Sequence, residues 1–146
     1  MRMVMTCMLM AMAAGIGACA SGEKPHTTEA FSPVGQWRLI AIQGERVDPP
    51  EGARQPTLTI REDGSVGGSA GINRYSGALD TEAWREGRWV MSPVITTRMG
   101  GTPAAMDFEQ RYLEHLTQVD AFVPGSTTLD LMGDDAFMLR FDRVDD

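Results

Sequence analysis

Four glycines fall within the eleven residues Gly67-Gly68-Ser69-Ala70-Gly71-Ile72-Asn73-Arg74-Tyr75-Ser76-Gly77, directly after a strand-like run. Glycine costs conformational entropy wherever the chain is ordered, so this density marks positions that need positive φ or that another backbone approaches closely. The stretch therefore predicts a specific turn rather than random coil.

On the amino-terminal side, Gly35 to Gly44 alternates as a first strand, with Trp37, Leu39 and Ala41 on one face and Gly44 ending it. Asp48-Pro49-Pro50 and Glu51-Gly52 cannot continue a ladder, which predicts a loop from Glu45 to Gln55. Thr57 to Arg61 turns Leu58 and Ile60 inward, and Glu62-Asp63-Gly64-Ser65 is a hairpin turn into Val66. Beyond the glycines, Arg74 to Leu79 reads as a strand, followed by a polar segment carrying Glu82, Trp84, Arg85 and Glu86. Trp89-Val90-Met91 begins a further strand that Pro93 bounds before Val94-Ile95-Thr96.

Thr102-Pro103 is a helix start, with a side-chain oxygen to cap and proline at the first helical position. Met106, Phe108, Tyr112, Leu113, Leu116 and Val119 then form an apolar face, opposite Asp107, Glu109, Arg111 and Glu114. The carboxyl end reads as hairpins: Ala121 to Val123, Thr128 to Met132 and Ala136 to Val144, with turns at Pro124-Gly125-Ser126 and Gly133-Asp134-Asp135. Phe137, Leu139 and Phe141 alternate there with Met138, Arg140 and Asp142. The expected fold class is α+β, a single antiparallel β-sheet domain packed on one amphipathic α-helix, without internal repeat or second domain.

Met1-Arg2 precedes an uncharged run from Met3 to Ala20. One cation, a short apolar core and small residues form the pattern of an export signal, too short for a membrane span of about 20 residues. Ile16-Gly17-Ala18-Cys19 resembles the lipobox of bacterial lipoproteins, which implies a diacylated Cys19 as the first mature residue and a lipid anchor in place of a helix. A buried or free thiol is the alternative. Ala20 after the cysteine, where Asp would act as a retention signal, implies sorting to the outer membrane, facing the periplasm.

The expected organisation is thus a signal peptide at 1–18, a lipidated amino terminus and flexible tether at 19–33, and a domain at 34–146. Cys7 leaves with the signal, so the exported domain holds no disulfide. The formal charge of −7 becomes −8 without Arg2, and no basic stripe is expected. That balance argues against nucleic acid and against electrostatic adsorption to anionic lipid. The partners expected are the membrane, through the acyl chains, and an unidentified envelope protein.

In order along the chain, Trp37-Arg38-Leu39, the run Gly68 to Gly77, Thr96-Thr97-Arg98-Met99, Glu109 with Tyr112-Leu113, Leu129-Asp130-Leu131 and Leu139-Arg140-Phe141 resemble the META domain family of HslJ-like bacterial lipoproteins. The resemblance implies an antiparallel sheet around one helix and an envelope location. It implies no agreed biochemical activity, since members are linked to heat response, drug tolerance, motility and virulence. Many members carry cysteine where Ile72 and Gly101 stand here. Their joint absence implies that they are a neighbouring pair, with apolar packing by Ile72 in their place. A disulfide contributes roughly 2–4 kcal/mol and a well-buried Ile about 1.5–3 kcal/mol, so the exchange is energetically balanced. It removes the basis for a redox role.

For a binding surface, Asn73, Arg74 and Tyr75 offer an amide, a guanidinium and a phenol after a glycine turn, while Asn73 equally suits a structural role in capping loop backbone. Arg98 belongs to a second motif segment that approaches the same loop, or else pairs with a surface acid. Trp84 and Trp89 flank a charged segment and either form an aromatic contact site, where an exposed tryptophan would anchor an interface, or else Trp89 is core and Trp84 covers a strand edge.

His26 in the tether and His115 on the helix read as solvated, and no Gly-x-Ser-x-Gly elbow accompanies His115. The carboxyl-terminal acids lack calcium-loop spacing, so no metal and no cofactor are expected. The functional expectation is a non-enzymatic envelope binding or stabilising module linked to stress tolerance. A small-ligand carrier or inhibitor, or an uncharacterised hydrolase, is the alternative.

Overall fold

The computed structural model describes residues 32–134 and 136–144. The export signal, Cys19 and nearly all of the tether lie outside the described residues. Nine strands and two helices follow in order: β1 Gly35–Ile42, β2 Glu45–Arg46, β3 Thr57–Ile60, β4 Ser65–Ser69, β5 Arg74–Ala78, α1 Thr81–Arg85, β6 Ile95–Thr96, α2 Pro103–Thr117, β7 Ala121–Pro124, β8 Thr128–Gly133 and β9 Ala136–Arg143. The strands form one sheet in the order β6-β5-β4-β3-β1-β9-β8-β7, with β2 on β1. Each strand pair is antiparallel.

Local chemistry accounts for where the elements begin and turn. Gln43 and Gly44 both take positive φ, 48° and 82°, the two-residue turn whose twist suits a hairpin. The turn brings β2 back onto β1, so the loop expected from Glu45 opens instead with a short strand. Register shifts between Leu39 and Ala41 where β1 meets β9. The inward face of β1 therefore runs Trp37, Leu39, Ile42, and Ala41 does not continue it as alternation predicts.

α2 starts as expected, with the Thr102 hydroxyl accepting from Ala105 N at 3.3 Å and Pro103 in the first turn. Its buried stripe is Ala105, Phe108, Tyr112 and Leu116. Met106 is instead 50 % exposed, because a helix on a sheet buries one narrow row and Met106 lies beside it. Tyr112 sits at the centre of the core, its ring 5.9 Å from Tyr75 of β5 and 6.4 Å from Phe141 of β9. Trp37, Tyr112, Leu116 and Phe141 are fully buried and fill the space between helix and sheet.

One helix was expected, and α1 is a second, short one. Asp80 caps it, accepting from Glu82 N at 2.9 Å and Ala83 N at 3.0 Å. Those bonds hold the Asp80 carboxyl below its ordinary range, the Ala83 bond most strongly. The segment after α1 is not the strand expected at Trp89–Met91. It is a strap across the two ends of the sheet: Trp89 N donates to Asp120 O at 2.7 Å beside β7, while Ser92 N donates to Ala78 O at 2.8 Å on β5. Single bridges Leu79 to Met91 and Arg88 to Ala121 complete it. The Trp89 ring packs edge-on against Phe122, so Trp89 is core and not part of an exposed aromatic contact site, two readings between which composition does not choose.

Candidate functional site

The glycine turn joins β4 to β5 and is built by close approach. A Cβ on Gly68 would collide with the Thr57 carbonyl oxygen, so only glycine lets β4 lie this close to β3. Thr57 then serves two neighbours: its carbonyl accepts from the Tyr75 hydroxyl at 2.8 Å and its hydroxyl accepts from Ser69 N at 3.0 Å. Gly71 adopts φ 131°, a conformation that side chains disfavour, with Phe108, Ala53 and Glu109 around it.

The Glu109 carboxylate of α2 reaches into this turn. Oε2 accepts from Ile72 N at 2.9 Å and Asn73 N at 2.6 Å, and Oε1 accepts from Asn73 Nδ2 at 2.7 Å. Asn73 passes the connection onward. Its Oδ1 accepts from the Thr97 hydroxyl at 2.9 Å and Met99 N at 2.7 Å, and its Nδ2 also donates to Met99 O at 3.1 Å. Every donor and acceptor of this buried amide is used, as a buried polar group requires. Asn73 is therefore a joint between the turn, α2 and the segment after β6, and it presents no group to a partner.

Tyr75 is turned inward as well, with its hydroxyl 2.8 Å from that of Tyr112. Burial raises both phenols above the ordinary tyrosine range; the contact between them raises Tyr112 further and slightly offsets the rise at Tyr75. Ile72 is buried, and a Cβ on Gly101 would overlap its Cδ1 and lie 3.1 Å from its Cγ1. The two positions of the expected pair are spatial neighbours, with Ile72 occupying the space that glycine leaves.

The outward face behaves differently. Thr57 and Thr59 of β3, Gly67 and Ser69 of β4, and Arg74 and Ser76 of β5 lie side by side in the pairings Thr59 to Gly67, Gly67 to Ser76 and Ser69 to Arg74. Small side chains make this surface concave, a trough of about 410 Å³ lined also by Arg54 and Arg61. Arg54 Nη2 donates to Ile72 O at 3.1 Å and Arg61 Nη1 to Ser65 Oγ at 3.4 Å. Arg74 is exposed, and its guanidinium has no hydrogen bond or ion pair among the described residues. No carboxylate among the described residues lines the trough. Asp63, nearby, accepts from Ser65 N at 2.9 Å; the Ser65 hydrogen bonds chiefly, and Arg61 less, hold its carboxyl low.

Guanidinium groups keep their charge at ordinary pH, so the trough offers fixed positive charge and hydroxyl donors rather than an acid or base. Of the five surface residues expected from the sequence, Arg74 and Tyr75 line it, Asn73 braces it from behind, and Arg98 and Trp84 do not. Arg98 is exposed without an ion pair among the described residues, and Trp84 is half-buried on α1 against the core. Arg54 and Arg61 are the residues sequence reasoning missed: they sit in the segments on either side of β3, and only the folded sheet brings them beside Arg74, forming a basic surface where no basic stripe was expected. His115 is half-buried, contrary to the solvated reading, and its Nδ1 is shielded without a hydrogen-bond partner. Among the described residues no group of three or more His, Cys, Asp and Glu could hold a metal ion, and no helix is long and apolar enough to cross a membrane.

Solved structures share this fold. A protein from Burkholderia xenovorans is 25% identical with a TM-score of 0.59, over 77% of this chain and 83% of that one. Another solution structure is 19% identical with a TM-score of 0.57, over 75% of this chain and 88% of that one. A DUF4847 family protein from Bacteroides vulgatus is 15% identical with a TM-score of 0.52, over 80% of this chain and 98% of that one. No curated protein matches the chain. The family model that matches is that of the META domain, over residues 30–146.

Proposed function

The chain belongs to the META domain family, and on that premise we propose that it is a non-enzymatic binding module of the bacterial envelope, whose working surface is the arginine-rimmed trough. Cys19 carries the lipid anchor, the tether holds the domain off the membrane, and the domain serves stress tolerance as the family resemblance implies. The observation that carries the binding reading is the trough itself. Three guanidinium groups share one concave surface with no carboxylate, on a chain whose formal charge is −7. Gathering like charges costs Coulomb energy, which an anionic ligand would return.

Pyrophosphate is a minimal probe. Titration calorimetry of the full chain should show binding that Arg74→Ala weakens about tenfold, the loss of one charge-assisted contact, while Arg98→Ala leaves it unchanged. No binding, or equal loss in both variants, would refute the trough. The anchor is tested separately: Cys19→Ala should move the protein out of the membrane fraction, and unchanged fractionation would reject lipidation.

A further inference from the structure

We propose that the trough is one end of a longer track across the outer face of the sheet, and that its ligand is a linear acidic polysaccharide. This rests on the reading of the trough as a binding surface. A second hollow of about 580 Å³ lies on the same face, over β1, β2 and β9, and Arg38, Arg46, Gln55, Arg140 and Asp142 help line it. The two hollows adjoin. Arg38 is the cross-strand partner of Thr57, which lines the first hollow, and Gln55 is next in sequence to Arg54.

Across both hollows the lining carries six arginines and one carboxylate, Asp142. Arg38 and Arg46 form no ion pair among the described residues. Arg140 is held by Asp130 at 2.7 Å and lies beside Asp142, so the positive track ends at β9. From Arg38 on β1 to Arg74 on β5 the face spans three strand spacings, roughly 14 Å, which is longer than one small anion.

The chemistry of the surface selects among polyanions. Between the cations the floor is hydroxyl-bearing, with Thr57, Thr59, Ser69 and Ser76, which matches a chain that alternates anionic groups with hydroxyls. Recognition of single-stranded nucleic acid relies on aromatic platforms for the bases. Among the described residues the only aromatic one lining either hollow is Tyr75, and its ring is buried with its hydroxyl bonded inside the core.

The test is binding of size-defined heparin fragments to the full chain, with neutral dextran as blank. Affinity should rise by at least about tenfold from disaccharide to hexasaccharide as a second set of contacts becomes intramolecular, then level off. Arg38→Ala should weaken the hexasaccharide roughly three- to tenfold and leave the disaccharide unchanged, whereas Arg74→Ala should weaken both. Arg38→Lys should restore most of the loss, and melting temperatures should show each variant folded. Equal affinity at every length would overturn the track while leaving the single trough standing. Loss of binding in Arg111→Ala, on the exposed side of α2, equal to that in Arg38→Ala would reduce the effect to nonspecific charge and overturn the proposal. Equally tight binding of an oligothymidylate would overturn the polysaccharide assignment, and no binding of any fragment or of pyrophosphate would remove track and trough together.

Discussion

Glu109 and Asn73 show how a single residue can hold three segments. The carboxylate accepts three hydrogen bonds from the turn, so Glu109→Ala would strand two backbone N–H groups and the Asn73 amide. A loss of about 2–4 kcal/mol is expected, read by denaturant unfolding. Glu109→Gln should recover little, because its NH2 would face the NH2 of Asn73, and Asn73 cannot flip without setting its own donor against Met99 N. Recovery to wild-type stability would show that the network tolerates reversal. The two tyrosines make a second test at this scale. Their folded-state pKa values lie above the ordinary value of about 10, so the unfolded chain loses phenolic protons first. Their contribution is complete below pH 10 and is lost as pH climbs past it. Since the chain has only these two tyrosines, tyrosinate absorbance should grow in together with the loss of circular dichroism rather than before it. From sequence, Asn73 was legible as either surface or structure, and Glu109 only as a residue of the helix's polar face and part of a family resemblance. A glycine turn with unsupported N–H groups and an acid on the neighbouring helix is the signal that was present, but their meeting is a tertiary fact.

Elements declare themselves in proportion to the length of their pattern. The carboxyl-terminal hairpins and α2 were readable because alternation over several residues, or a cap followed by a repeating apolar row, outweighs local accident. α1 has five residues and one buried side chain, too few for a period to emerge. The β1 bulge and the strap are set by partners distant in sequence, as is the arginine face, which exists only once β3, β4 and β5 are in register. The contact of Ile72 with Gly101 ties the β4–β5 turn to the approach to α2. Replacing both by cysteine should restore the disulfide that the family resemblance implies and stabilise the fold by roughly 2–4 kcal/mol under oxidising conditions, lost on reduction. Gly101→Cys alone should destabilise, since its Cβ would overlap Ile72. A double variant that stays reduced in air would show the two backbones are misaligned for a bridge.

For the molecule as a whole, the strap makes the two ends of the sheet depend on each other. Trp89→Ala empties core space beside Phe122, and a loss of about 3–5 kcal/mol is expected. Hydrogen exchange should quicken at the Asp80 and Ser92 amides, which bond between the strap and the β5 side, and at the amide of residue 89, which donates to Asp120 O beside β7. Faster exchange confined to one side would mean the ends open independently. The strap also bears on how the protein behaves among its own copies. Strands with unsatisfied backbone groups along a flank act as templates for neighbouring chains, and heat exposes them further. Here Arg88 bridges the start of β7 and Pro124 withholds a donor at its end, while β5 is flanked by two-residue β6 and by Met91 beyond it. Among the described residues little ladder is left on which a second molecule could polymerise, so raising the local concentration of this domain should not by itself drive edge-to-edge growth.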